Sequence, residues 1–184
     1  EDFAIYDLQR ELKTAKYPLA QMLHSMLGEL YWQYYQQNRW QFANRSQTVN
    51  FQNDSINTWD LTHLVDMAMK EYRQSIIPAD SLKRTNEDIY NEVIIEGTAD
   101  KKLRPTLYDF LAFRAADFFS SQEADIARPA DHFEVEDPEL FQPASKFAVM
   151  KIASNDTLSM KYDAIKVLQS LVQFHLSNGD VDRS

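Results

Sequence analysis

Residues 103–119 read LRPTLYDFLAFRAADFF, and this stretch decides the fold. At 3.6 residues per turn, Leu107, Tyr108, Leu111, Ala112, Ala115, Ala116, Phe118 and Phe119 fill one apolar half-circle. From Leu107 onward only Asp109, Arg114 and Asp117 are charged, with Phe110 and Phe113 among them. A helix apolar nearly all round is normally buried, with other helices packed about it. Pro105 keeps Arg104 out of helical geometry. Thr106-Leu-Tyr-Asp109 resembles a capping box with Asp in place of Glu, which predicts a sharp start.

Working outward, the same cap logic at Thr85-Asn-Glu-Asp88 predicts a shorter helix over 87–96, ending at Gly97. Upstream, Leu61, Leu64, Val65, Ala68, Met69, Tyr72 and Ile76 form a stripe over 59–77, with Thr58 as cap and Pro78 as stop. A long helix is expected over 18–38. Leu19, Met22, Leu23, Met26, Leu27, Leu30, Tyr31 and Tyr34 share its apolar arc, and Gln21, His24, Ser25, Gly28, Glu29 and Gln36 the opposite one. Residues 2–16 read as a further helix. Downstream, 144–153 reads as a short helix and 158–177 as a long amphipathic one, closed by Asn178-Gly179. Lys166, Gln169, Ser170 and Gln173 mark its wet side. Two irregular loops are expected, over 39–57 and 120–143. In the second, Phe133, Val135, Leu140 and Phe141 should pin the chain to the helical body, with a very short strand at 133–135. The predicted fold is all-α, one domain over 1–184 of about six or seven helices, with antiparallel helix pairs around the central buried helix.

Composition narrows the chemistry. Acidic residues outnumber Lys and Arg 28 to 19, and no basic block occurs. Nucleic acid and acidic membrane surfaces are therefore poor partners, since phosphate contacts need clustered cations. The absence of cysteine excludes disulfides, thiolate zinc sites, cysteine catalysis and iron–sulfur chemistry in this segment. No apolar run is long enough to span a bilayer, so no membrane insertion is expected. The start at Glu1 and the charged tail over 179–184 suggest a piece of a longer protein.

No sequence pattern points to catalysis. His24, His63, His132 and His175 do not pair with ligands at metal spacing, and no nucleophile or phosphate-loop motif is present. No catalytic, cofactor or metal residue is assigned, and an enzyme is not expected. Arg114 and Asp117, three apart on an apolar helix, read as a structural ion pair or as a clamp for a neighbouring domain or ligand. Among the crowded aromatics Tyr31, Trp32, Tyr34, Tyr35, Trp40 and Phe42, most should be core. Trp32 and Tyr35 fall off the apolar arc, so with Trp40 they could offer a flat surface to a sugar or a protein. Asp54-Ser55-Ile56, Asp80-Ser81-Leu82 and Asp156-Thr157-Leu158 resemble the Asp-Ser/Thr-apolar triplets that some bacteria O-glycosylate on exported proteins. Asn44-Arg-Ser46, Asn53-Asp-Ser55 and Asn155-Asp-Thr157 match the N-glycosylation pattern.

Two stretches together, LHSMLGELYWQYYQQNRWQF over 23–42 and LRPTLYDFLAFRAADFF over 103–119, resemble the N-terminal helical region of large bacterial alpha-2-macroglobulin-like proteins. Thr58-Trp59-Asp60 and Phe174-His175 fit the same pattern, and the likeness runs from about residue 19 to 176. Phe113 stands where that pattern has histidine. The resemblance implies an exported, periplasmic or outer-envelope protein of a protease-inhibitor family, in which other domains of a larger chain do the trapping. This segment would be a non-catalytic scaffold or docking domain, its partners being those domains and other proteins. The alternative is a glycan-binding helical module of the envelope, reading through Trp32, Tyr35 and Trp40.

Overall fold

The computed structural model describes residues 2–42, 56, 59–92, 94, 104–121 and 133–179, with the side chains of all these except 2 and 40–42. The described residues are all-helical. Seven α-helices follow in order: α1 (Asp2–Leu12), α2 (Leu19–Phe42), α3 (Leu61–Ser75), α4 (Ala79–Leu82), α5 (Leu107–Phe119), α6 (Ala144–Phe147) and α7 (Met160–Ser177). Short 3-10 turns lie at Glu87–Tyr90 and Pro138–Phe141. Among the described residues, tertiary contacts gather into two compact units, one up to Ile77 and the other from Pro78 onward.

In the first unit α2 packs chiefly on α3, and α1 on α2. Asp60, rather than Thr58, caps α3 by accepting from His63 N–H at 2.7 Å; residue 58 lies outside the described residues. The buried face of α2 differs from the expected arc. Leu19 and Met26 are exposed, whereas Ser25 and Gly28, placed on the polar arc, are buried. The reason is their size. A Cβ built on Gly28 would stand 2.9 Å from Tyr72 Cδ2 and 3.3 Å from the Ala68 carbonyl oxygen, so the α3 ring occupies the space that the missing side chain leaves. The helix also continues through 39–42, where a loop is expected.

Beneath this pair, Tyr31 is buried and its hydroxyl accepts from Gln9 Nε2 at 2.7 Å, tying α1 to α2. Burial pushes the phenol up to about 12, against a pull downward from the Gln9 hydrogen bond and further rises from Glu71 and Tyr6. This sets the response to alkali. Below pH 10 folded and unfolded chains both keep the proton. From pH 10 to about 12 only the unfolded chain releases it, so stability falls by roughly 1.4 kcal/mol per pH unit across that window. Urea midpoints measured through the window, alongside tyrosinate absorbance, should show this loss. A midpoint unchanged up to pH 12 would contradict it.

In the second unit α5 packs on α7, with α4 and α6 against α5 and α7 respectively. Nine of the thirteen α5 residues are buried, as the apolar wheel requires. The capping box is present in full. Thr106 Oγ1 accepts from Asp109 N–H at 3.2 Å, and Asp109 Oδ2 accepts from Thr106 N–H at 3.1 Å. Other boundaries shift. Of the helix expected over 87–96, the described residues hold a single 3-10 turn, Glu87–Tyr90, capped by Asn86 rather than Thr85; residues 93 and 95–97 lie outside the described residues. Residues 133–135 form no strand, though Phe133 meets Tyr162 edge-on at 5.4 Å. Phe141 does not pin its loop but is 75 % exposed. The helix expected over 144–153 is one turn, α6. Gln169, assigned to the wet side of α7, is buried and donates through Nε2 to the carbonyls of Phe147 and Met150, each at 2.8 Å. A helix position is dry when its polar group finds buried acceptors.

Candidate functional site

The polar groups brought together in the second unit lie where the start of α5 meets the last turn of α7. Capping places Asp109 at the third position of α5, and the periodicity of α7 turns His175 inward. Asp109 Oδ1 and His175 Nε2 stand 2.9 Å apart, with side chains 0 % and 2 % exposed. The other carboxylate oxygen is used by the cap and also accepts from Thr106 Oγ1 at 2.8 Å. Oδ1 and Nε2 nonetheless make no hydrogen bond, so the two side chains are in close approach only. His175 Nδ1 has no partner. Asp109 stands in the first turn of α5, where the helix dipole favours an anion, and His175 in the last turn of α7.

Around the pair stands an aromatic shell. Tyr108 donates to Ser170 Oγ at 2.6 Å and meets Phe174 edge-on at 5.9 Å. The Lys83 ammonium lies over both rings, 4.8 Å from the Tyr108 centroid and 5.2 Å from that of Phe174. Burial raises the Tyr108 phenol pKa, the Ser170 hydroxyl draws it part of the way back, and the Asp109 carboxylate adds to the rise. All these contacts hold α4, α5 and α7 to one another.

The first unit has a counterpart. His24 Nδ1 on α2 lies 2.5 Å from Glu71 Oε2 on α3, with the carboxylate nearly buried. His24 thus sits at a helix–helix seam. Two of the histidines read as unpaired face carboxylates 47 and 66 positions away in sequence, a relation that local spacing does not contain. His63 packs edge-on against Trp59 at 4.5 Å, and His132 lies outside the described residues. Among the described residues no group of three or more His, Asp or Glu is placed to hold a metal ion, and no helix is long and apolar enough to cross a membrane.

The residues singled out in the sequence fall elsewhere. Arg114 is half-buried with its guanidinium over the Phe110 ring at 5.6 Å, while Asp117 is exposed. The buried charge of α5 is Asp109. Trp32 stacks on Tyr35 at 4.8 Å, but Tyr35 is only 5 % exposed, so the two do not present a continuous open platform. The Trp40 side chain lies outside the described ones.

No family model matches the chain, and comparison with curated proteins and with solved structures returns no match.

Proposed function

We propose that this chain is a non-catalytic scaffold or docking domain of a bacterial alpha-2-macroglobulin-like envelope protein, a family of protease inhibitors, with other domains of the same larger chain as its partners. One observation carries the reading. Within each unit, a long segment that resembles that family's helical region meets a short one in a structural role. Asp109 in 103–119 faces His175, and Tyr108 faces Phe174. Trp59 packs on Tyr31, from the other long stretch, at 5.6 Å, and its neighbour Asp60 caps α3. Side chains used for capping and helix pairing are those a scaffold needs. Exposed Phe141 and Val149, each 75 % accessible, leave apolar surface for a neighbour.

An antibody raised to this segment tests the reading in the source cells. A band many times heavier than 21.5 kDa, in the envelope fraction, is expected. The purified segment should neither inhibit nor cleave proteases. A band near 21.5 kDa, or inhibition by these residues alone, would overturn the proposal.

A further inference from the structure

The three Asp-Ser/Thr-apolar triplets are equivalent as sequence and unequal in the fold. In Asp80-Ser81-Leu82 the serine lies within α4, half-buried, and Leu82 is fully buried. Its backbone is committed too: the Ser81 carbonyl accepts from Arg84 N–H at 3.1 Å and from Thr85 Oγ1 at 3.0 Å. An enzyme that must grip the acceptor residue and its neighbours could not do so without unwinding the helix. Ser55 lies outside the described residues.

Asp156-Thr157-Leu158 is different. It sits in the turn just before α7, with Thr157 exposed at its tip. Asp156 folds the turn around itself. Its Oδ1 accepts from Leu158 N–H at 3.2 Å, its N–H donates to Ser154 Oγ at 3.0 Å, and its carbonyl accepts from Ser159 N–H at 3.4 Å. This Asx-type turn turns the threonine outward while half-buried Leu158 anchors the far side. Ser159 is buried beneath the turn and caps α7 by accepting from Tyr162 N–H. We infer that Thr157 is a glycan attachment site, its hydroxyl accepting an O-linked sugar after export; the inference rests on the envelope reading above. In the transfer, Thr157 Oγ1 attacks the anomeric carbon of a sugar carried on a lipid-linked phosphate. The glycosidic C–O bond forms as the bond to the phosphate oxygen breaks. The phosphate leaves with the electron pair, and the hydroxyl proton passes to a base of the transferase.

Lys151 and Lys161 bracket the site, so trypsin releases it within residues 152–161. The full protein, recovered from its own cells after fractionation, should yield this peptide with added sugar mass, located on Thr157 by fragmentation. Alkaline β-elimination should remove the sugar and leave an unsaturated residue at that position. Thr157→Ser should keep the modification, and Thr157→Ala and Asp156→Ala should lose it. Sugar on Asn155 that survives alkali and persists in Asp156→Ala would overturn the assignment, as would sugar on Ser154 or Ser159. An unmodified peptide from protein found in the envelope would overturn the site and leave the envelope reading standing. Unmodified protein confined to the cytosol would overturn both.

Discussion

Replacing Asp109 by Asn is expected to destabilise the second unit by about 1–3 kcal/mol, the usual cost of leaving a buried polar group without its partner. The carboxylate is fully buried and serves three groups at once, the Thr106 amide, the Thr106 hydroxyl and the His175 ring. An Asn amide presents one acceptor oxygen and cannot meet both the cap and the histidine. It therefore either weakens the start of α5, worth about 1 kcal/mol, or leaves His175 buried without its anion. In urea, with a slope of roughly 1–3 kcal/mol per molar, the midpoint should fall by about 1 M. His175→Leu tests the pair from the other side. If the two side chains interact, the double variant should cost less than the sum of the singles, by about 0.5–3 kcal/mol. Additive losses would show that Asp109 acts through the cap alone.

Gly28→Val should cost about 3 kcal/mol and Gly28→Ala about 1 kcal/mol, in the opposite direction to helix propensity. By propensity alone, alanine in place of a mid-helix glycine gains up to about 1 kcal/mol. Packing reverses the sign. The new Cβ would lie 2.9 Å from the Tyr72 ring and 3.3 Å from a backbone oxygen. Tyr72 is itself buried, and the Ala68 carbonyl belongs to α3, so neither can swing clear. Overfilling such a contact typically costs about 1–3 kcal/mol, and the branched side chain of valine doubles the intrusion. Tyr72→Leu in the Gly28→Ala background, which removes the obstructing ring edge, should recover part of the loss. Stabilisation by Gly28→Ala would mean that α2 and α3 can separate freely.

What could be read beforehand and what could not divide along physical lines. The capping box of α5 is a relation between residues three apart, and the burial of 107–119 follows from its lack of a wet face; both are local properties. A hydropathy wheel misplaces the seam of α2 because it scores Ser25 and Gly28 as non-apolar, whereas their buried role comes from being small. Leu19 and Met26 show the converse, apolar side chains left 47 % and 41 % exposed. The buried pair itself escaped because each half had a sufficient local explanation: Asp109 as a cap residue, His175 as one more histidine at a helix end. Arg114 and Asp117 attracted attention as charges on an apolar helix, yet one lies over an aromatic ring and the other faces water. Only the α5–α7 packing reveals which charge is enclosed.

The tether between Gln169 and the segment after α6 has a consequence in time. A four-residue helix is far below the length at which a helix holds itself together in water. The Met150 carbonyl finds its donor on α7, and the Phe147 carbonyl accepts from the same amide as well as from Met150 N–H. The turn at 144–150 therefore cannot mature before α7 is in place, and its order is borrowed from a helix made later in synthesis. As the chain emerges N-terminus first, this corner must wait for residues some twenty positions downstream, and on unfolding it lets go as soon as the amide does.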